Sequence, residues 1–443
     1  MPLTIMLGLI ATGAGVSYGL RRRKEHEWAT WAASVDEQQL TVEEQQRYAS
    51  IGAALADVGS ADKGFSRVLF EDFLYALYAE VHTARGGGHL ARLGPYLGDR
   101  ARASLERWPA EAVEGIIVGS ATIRDVRVDP LTRVVRVGVA FESNYTERRV
   151  GSDQSYYARE QWVLERPVDT QSRSPDKARV IGCASCGAPL DKIVGGSCTH
   201  CGAASAGVAD WRVVDVDVER EARGPILTGT TEEQGTDLPT LVAPDVKERW
   251  AELCARDPEV SWASFSARVE LTFETFHRTW AAQDLTDVRP LLSDMLFETQ
   301  RYWVAAYKAQ GLRNVTEDPT IVTMQLSKVT RDPWFDAITL RVFATCKDYT
   351  VDRNGKVVGG SRERERQYTE YWTFIRSANH PGASRGAGMR TGAPKTDTGC
   401  PNCGAPVGSI GMAGKCTSCG AKITSGDFDW ILSRIEQDEV YAT

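Results

Sequence analysis

The chain has 443 residues, of which 42% are hydrophobic and 25% are charged, and its formal net charge at pH 7 is −7. This length exceeds one ordinary domain, and the composition excludes collagen, wholesale disorder and a polytopic membrane protein. The negative charge argues against a surface that attracts nucleic acids over its whole extent.

The amino terminus predicts a membrane anchor. Residues 1–20 contain no charged side chain, and the basic cluster Arg21, Arg22, Arg23 and Lys24 follows at once. A helix of this length spans about 30 Å, which is the thickness of one hydrocarbon core. The alternatives are a buried soluble helix and a secretory signal peptide, but a signal peptide carries its basic residues before the apolar stretch. We therefore expect an uncleaved transmembrane helix, with the rest of the chain on the cytoplasmic side.

Two features of this segment predict contacts at the membrane. Ala11, Gly15 and Gly19 recur at every fourth position, a pattern that lets two membrane helices associate closely, although small residues are also common in short anchors. The basic cluster would meet anionic lipid headgroups. Residues 21–62 are predicted to be a polar, partly helical spacer.

The order of features then repeats at a period of about 200 residues, which predicts two tandem copies of one unit, at residues 63–166 and 246–376. Each copy opens with apolar residues at helical spacing, namely Phe65, Leu69, Phe73, Leu77 and Val81 in the first and Phe265, Val269, Phe273, Phe276 and Trp280 in the second. Asp99 and Asp294 precede the next apolar segments and are predicted to be helix N-caps.

Alternating, β-branched segments follow the helices. They are Val134–Ser143 and Ile338–Tyr349, and each copy is predicted to end with a tryptophan-containing strand, Ala158–Arg166 or Thr369–Arg376. Helices followed by consecutive antiparallel strands predict an α+β fold class, with helices covering one face of a sheet.

Eight of the ten cysteines form four Cys-x-x-Cys pairs, and the pairs assemble into two sets of four. The predicted metal ligands are Cys183, Cys186, Cys198 and Cys201 in the first set, and Cys400, Cys403, Cys416 and Cys419 in the second. Two such knuckles complete a tetrahedron of thiolates, so we expect two structural Zn²⁺ sites, with a rubredoxin-like iron site as the alternative. His200 is a further candidate ligand, whereas Cys254 and Cys346 lie outside the knuckles.

The cysteine sets define two predicted zinc ribbons. The first covers residues 180–218 and ends in a tryptophan-led tail, and the second covers residues 400–443 and is expected to end in a helix. Residues 219–245 and 377–399 are predicted to be linkers, since glycine, serine and proline are frequent there.

The segments EQWVLER and YWTFIR, together with the CPNCGAP and FDW motifs, resemble bacterial Tim44-like proteins, which are related to the C-terminal domain of a mitochondrial inner-membrane translocase subunit. The resemblance covers residues 65–166 and 265–376 and both ribbons. It implies a cone-shaped fold like that of nuclear transport factor two, an apolar pocket suited to a lipid or a partner's hydrophobic segment, and membrane association. It implies no reaction.

The sequence therefore favours a non-enzymatic binding or scaffold protein, anchored in a bacterial inner membrane and associated with lipid binding or transport, with one apolar pocket in each unit. A nucleic-acid-binding role for the ribbons has little support, because the first contains only Lys192 against Asp191 and the second only Lys415 between its outer cysteines.

An enzyme is the other alternative, because the same cone fold hosts isomerases and dehydratases that use a buried acid with a tyrosine or histidine. The candidate acid-base residues of the first copy are Asp125, His82 and Tyr145. Their approximate counterparts in the second copy are Lys328, Trp280 and Tyr349, so the acid-base set is not expected to repeat.

Overall fold

The computed structural model describes residues 37–39, 42–172, 175, 181, 193–194, 197–200, 202, 211–223, 237–378, 399–438 and 441. The predicted anchor at residues 1–20, with Ala11, Gly15 and Gly19, and the basic cluster Arg21–Lys24 lie outside this part of the chain. None of the helices in the described part combines the length and apolar character needed to cross a bilayer.

The first unit places three helices before an antiparallel sheet. Its elements are β1 (Glu37–Gln39), α1 (Val42–Ala61), α2 (Arg67–Arg85), a 3-10 turn (Leu90–Leu93), α3 (Asp99–Glu106), β2 (Ala112–Asp129), β3 (Val134–Arg149), β4 (Ser152–Pro167), the short pair β5 (Ile193–Val194) and β6 (Ser197–Cys198), and β7 (Arg212–Arg223). The sheet order is β2-β3-β4-β7.

The second unit repeats this plan. Its elements are β8 (Thr240–Val242), α4 (Val246–Arg256), α5 (Trp262–Ala282), a 3-10 turn (Arg289–Leu291), α6 (Asp294–Ala309), β9 (Arg313–Arg331), β10 (Phe335–Val351), β11 (Val357–Gly360), β12 (Arg366–Ser377) and β13 (Ile431–Gln437). Strand β10 pairs with β9 and also with β12 and β11, and β13 extends the sheet beyond β12. The structure is therefore a mixed α+β fold with antiparallel sheets.

The long helices α2 and α5 cover the sheets with one apolar face. Each begins at a serine, since Ser66 accepts a hydrogen bond from the Leu69 amide and Ser261 accepts one from the Ser264 amide. These caps pair Phe70 with Phe265, not Phe65 with Phe265 as the apolar stripes suggest. The order of the stripes is therefore misleading by five residues, about one and a half turns, because an apolar stripe repeats every three or four residues and does not fix its own register.

The segment before α2 belongs to the first unit and is not a spacer as predicted. Helix α1 contributes Leu55 and Val58 to the core, and its following residue, Asp62, is fully buried. Asp62 Oδ2 lies 2.8 Å from Nη2 of Arg166 at the end of β4. Burial opposes ionisation of Asp62, but hydrogen bonds from Ser172 and Arg166 outweigh it and hold its pKa below the ordinary value.

The second unit has the same lock. Asp257, which follows α4, lies 2.7 Å from Nη2 of Arg376 at the end of β12. In both units the guanidinium also stacks on the tryptophan that follows the cysteine set, Arg166 on Trp211 and Arg376 on Trp430. Each lock therefore joins the first helix, the last strand before the cysteine set and the chain after it.

A strand follows each cysteine set, and this corrects the predicted C-terminal helix. Residues Ile431–Gln437 form β13, which pairs antiparallel with β12, just as β7 pairs with β4. The segment contains leucine, arginine, glutamate and glutamine, which favour helices, but the open edge of β12 supplies backbone partners that override this local preference. Along the chain, each cysteine set therefore stands between two strands that pair with each other in a sheet.

The two units pack against each other. Val68 and Leu69 of α2 contact Phe335, Ile375 and Ile431 of the second unit in a small apolar cluster. Polar contacts flank it: the Ser66 hydroxyl lies 2.6 Å from Oδ2 of Asp332, and the Trp334 indole donates to the Gly64 carbonyl at 2.9 Å. The capped start of α2 is therefore fixed to the β9–β10 turn.

Candidate metal centre and apolar cavity

The second set of cysteines converges on one point. The sulfur atoms of Cys400, Cys403, Cys416 and Cys419 lie within 4.8 Å of one another. The Cys400–Cys419 and Cys403–Cys416 sulfur separations are 3.8 Å and 3.7 Å. A tetrahedral metal at about 2.3 Å from each sulfur would give separations of about 3.8 Å. The four-cysteine cluster therefore fits a four-coordinate metal ion.

The backbone explains why these residues form knuckles. The Gly404 amide donates to the Cys400 carbonyl and the Gly420 amide to the Cys416 carbonyl, both at 2.8 Å. Both glycines have φ of +75°, a conformation that side chains with a Cβ rarely adopt. The side-chain amide of Asn402 donates to the Cys419 sulfur at 3.4 Å and lowers the pKa of that thiol to about 6, which favours the ligating thiolate.

Asp294 holds the ribbon on the second unit. Its carboxylate lies 2.7 Å from Lys422 Nζ, accepts a hydrogen bond from Thr424 at 2.8 Å, and pairs with Arg289 at 2.5 Å. The expected N-cap role of Asp294 was therefore wrong: Ser293 caps α6 by accepting from the Leu296 amide.

Asp99 is not an N-cap either. It is the first residue of α3, the cap position is Gly98, and the exposed Asp99 carboxylate pairs with Arg102. A carboxylate one residue after the cap still lies at the positive end of the helix, which gives the same sequence signal as a cap.

The other cysteines have different surroundings. Cys183, Cys186 and Cys201 lie outside the described residues, as does the side chain of Cys198, so the first metal site stays a prediction. His200 is in an exposed turn. Cys346 is buried in β10, where burial raises the pKa of its thiol to about 12, as expected for a structural cysteine.

A cavity of about 440 Å³ lies between strands β9, β12 and β13 of the second sheet and the helices α5 and α6. Aromatic side chains of α5 and α6 form much of its wall, namely Phe276, Trp280 and Trp303. The first unit contributes Tyr75 of α2 and the β2 segment around Val118 to the wall. The cavity is therefore built mainly by the second unit and is bordered by the first.

Polar groups form its floor. Glu370 accepts hydrogen bonds from the Trp372 indole and the Gln437 amide, both at 3.0 Å. His277 contacts Thr316 at 3.0 Å and Tyr368 at 3.2 Å through its two ring nitrogens, and burial lowers its pKa to about 4, so it is neutral at pH 7. Burial also raises the pKa of Glu370.

The corresponding place in the first unit is filled by aromatic side chains. Tyr78, Phe141, Tyr145 and Trp162 are each at most 1% exposed; the rings of Tyr78, Phe141 and Trp162 pack together, and Tyr145 stacks on His82. The carboxylate of Glu160 lies among them and contacts Tyr78 OH at 2.8 Å, Trp162 Nε1 at 2.8 Å and His82 Nε2 at 3.0 Å.

The candidate acid-base set of the first unit is not assembled. His82 and Tyr145 pack together, but Asp125 is on β2 with its carboxylate 3.0 Å from Arg127. The position of the second unit that corresponds to His82 is His277, not Trp280. Sequence reasoning also missed Glu160 and Glu370, although both stand in the Glu-x-Trp sequence that the two matched strands share.

Comparison with known proteins identifies one part of the chain. No curated protein matches the sequence significantly. The model of the Tim44-like domain matches residues 225–385, which contain α4 to β12 and thus most of the cavity wall, while the first unit lies outside this match. Residues 225–385 therefore form a Tim44-like domain.

Proposed function

We propose that this protein is a membrane-associated, non-enzymatic binding or scaffold protein, and that the cavity of its Tim44-like domain holds the apolar part of its ligand. Tim44-like domains are membrane-associated and are not known as enzymes. The observation that carries the proposal is the cavity of about 440 Å³, which has the size and the apolar, aromatic wall of a ligand site.

The ligand of this cavity would be a lipid or a hydrophobic segment of a partner protein. Met295, Leu296 and Ile435 extend the apolar wall beside the aromatic residues. Burial of an alkyl chain here gains about 0.8 kcal/mol per methylene group. The proposal includes the uncleaved N-terminal anchor, a bacterial inner membrane with the two units on its cytoplasmic side, and a role in lipid binding or transport.

We further propose that the two units arose by duplication of one cone-like unit. Three features recur in corresponding places: the serine cap of the long helix, the aspartate–arginine lock, and the strand that follows a ribbon. The aromatic cavity lies against the sheet of the second unit, so the first unit would serve as its support.

The metal ion proposed for both ribbons is Zn²⁺. Cys400, Cys403, Cys416 and Cys419 would hold one ion with no open position, so the metal would stabilise the fold and not react. The first ribbon has the same ligand spacing, and Gly202 after its last cysteine has φ of +73°, close to the values at Gly404 and Gly420. Native mass spectrometry of the reduced chain should find two zinc ions, whereas iron in their place or metal-free folded protein would refute this assignment.

A cavity-filling variant tests the binding proposal. Thr299 lines the cavity, and its hydroxyl donates to the Met295 carbonyl within α6. Thr299→Trp should displace lipids that co-purify with the full chain, as measured by extraction and mass spectrometry. Thr83→Trp is the matched control, because Thr83 makes the same helical hydrogen bond on the exposed face of α2.

The outcome that contradicts the proposal is equally clear. If wild-type protein from native membranes carries no lipid and crosslinking captures no partner segment in the cavity, the cavity is not a ligand site. Equal lipid content in Thr299→Trp and Thr83→Trp would place the bound lipid elsewhere.

A further inference from the structure

The charges around the cavity are unequal. Among the described residues, three charged side chains line it: Asp72, Arg434 and Glu370. Arg434 lies 2.5 Å from Glu71 and 3.9 Å from Asp72, so its positive charge is already matched. Glu370 on the floor therefore leaves the cavity with one negative charge in excess.

A cluster of charged side chains lies beside the cavity, between α2, β9 and β13. It contains three cations and three acids, so it does not change the net charge at the cavity. The cations are Arg67, Lys328 and Arg434, and the acids are Glu71, Asp72 and Glu436.

Glu370 has only neutral donors among the described residues. Trp372 and Gln437 each donate one hydrogen bond to it, and no ion pair reaches its carboxylate. Arg366, four residues earlier on β12, pairs directly with Asp348 at 2.7 Å, and its longer-range attraction for Glu370 does not outweigh the burial that raises the Glu370 pKa. A half-buried carboxylate that no cation contacts directly favours a ligand that brings a positive charge.

The corresponding glutamate of the first unit has contacts that Glu370 lacks. There the corresponding Glu160 contacts His82 and the Tyr78 hydroxyl in addition to its tryptophan. In the second unit Phe273 replaces Tyr78 and has no hydroxyl, and His277 contacts Thr316 and Tyr368 instead. Glu370 therefore lacks the histidine and tyrosine contacts that the first unit supplies to Glu160.

The aromatic walls of the cavity favour an organic ammonium group over an inorganic cation. Tyr75, Phe276, Trp280 and Trp303 present aromatic surface, and such faces attract ammonium groups that have lost their water. An inorganic cation would need several oxygen ligands, and both oxygens of Glu370 already accept hydrogen bonds. An anionic headgroup would meet two carboxylates, those of Glu370 and Asp72.

From this geometry we propose that the cavity binds a small amphiphilic organic cation, with its ammonium group against Glu370 and its alkyl body along the apolar wall. This inference rests on the proposed function, because it names the ligand class of the same cavity. It makes Glu370 the specificity-determining residue of the site.

Three probes of equal length test the proposal: hexyltrimethylammonium, hexanoate and hexanol. Binding to the full chain in lipid nanodiscs is measured by calorimetry, with empty nanodiscs as the baseline. We expect the ammonium probe to bind at least about tenfold more tightly than the other two, because it alone combines the carboxylate and aromatic contacts.

Two variants assign this preference to residues. Glu370→Gln keeps the shape of the side chain and should remove the preference for ammonium while leaving hexanol affinity unchanged. Trp303→Leu should weaken ammonium binding by about threefold to tenfold through loss of an aromatic face. Glu363→Gln, in an exposed turn, is the control that should change nothing. Thermal unfolding confirms that each variant is folded.

The outcomes separate this inference from the proposed function. If hexanol or hexanoate binds as tightly as the ammonium probe, or if Glu370→Gln keeps the preference, the organic-cation assignment is wrong while the apolar cavity remains a ligand site. If none of the three probes binds, both proposals fail.

Discussion

The lock between Asp62 and Arg166 should dominate the stability of the first unit. Both residues are at most 1% exposed. Asp62 accepts hydrogen bonds from Arg166 Nη2 at 2.8 Å, from the Ser172 hydroxyl and amide at 2.5 and 3.0 Å, and from the Gly64 amide at 3.0 Å. The substitution Asp62→Ala removes all four acceptor contacts and leaves a buried guanidinium without its carboxylate.

The expected cost follows from that geometry. Removing one partner of a buried ion pair typically costs about 3–5 kcal/mol, because the remaining charge stays desolvated. The Ser172 hydroxyl also lies 3.2 Å from Arg166 Nη1 and can compensate in part, so we expect about 4 kcal/mol. For a unit of this size, such a loss lowers the melting temperature by about 10 °C.

Differential scanning calorimetry of the full chain, with urea titration for the free energy of unfolding, measures this effect. Asp99→Ala is the matched control, since it also breaks an aspartate–arginine pair, but one whose carboxylate is 92% exposed. That pair should contribute about 0–1 kcal/mol. An effect of Asp62→Ala no larger than that of Asp99→Ala would refute the reasoning.

Three further predictions concern the unit interface and the ribbon. Burial opposes ionisation of Glu71, but Arg434 and its neighbouring cations outweigh this effect and hold the pKa of Glu71 at about 2, below the ordinary 4.5. The stabilisation from the Glu71–Arg434 pair is therefore complete above pH 4.5 and is lost as the pH falls towards 2. Glu71→Gln should flatten the slope of unfolding free energy against pH in that window, and an unchanged slope would exclude the pair as its source. Cys403→Ser should reduce the metal content by one ion per chain and lower the melting temperature, and unaltered metal analysis would contradict the four-cysteine site. Asp294→Ala should increase hydrogen exchange in residues 400–425 while metal content stays unchanged, because Lys422 loses its anchor; loss of the metal instead would mean that Asp294 supports the site itself.

Local sequence signals predicted the elements that depend on neighbouring residues. Helical spacing indicated α2 and α5, alternation indicated β3, β10 and β12, and the Cys-x-x-Cys spacing indicated the four-cysteine cluster. Each of these follows from side chains within one turn, one strand or one knuckle.

Features that depend on distant partners were missed. The burial of Asp62 depends on Arg166, which lies 104 residues later, and β13 is a strand because β12 offers it an edge. Periodicity also does not distinguish a filled core from one with a cavity. Tyr78 and Phe273 both fit an apolar stripe, but only Tyr78 has a hydroxyl that can donate a hydrogen bond to the buried glutamate of its unit.

The insertion of each ribbon between two paired strands has a consequence for folding order. Synthesis delivers β13 only after the second ribbon, so the sheet lacks its last strand, and β12 keeps an open edge, until that ribbon has emerged. Such long-range pairings form slowly, because the entropy of loop closure is lost before the stabilising contacts between the strands form. The proposed metal ion would fold this segment and shorten the free loop, so metal supply during synthesis would set how long the nascent sheet stays open to wrong partners.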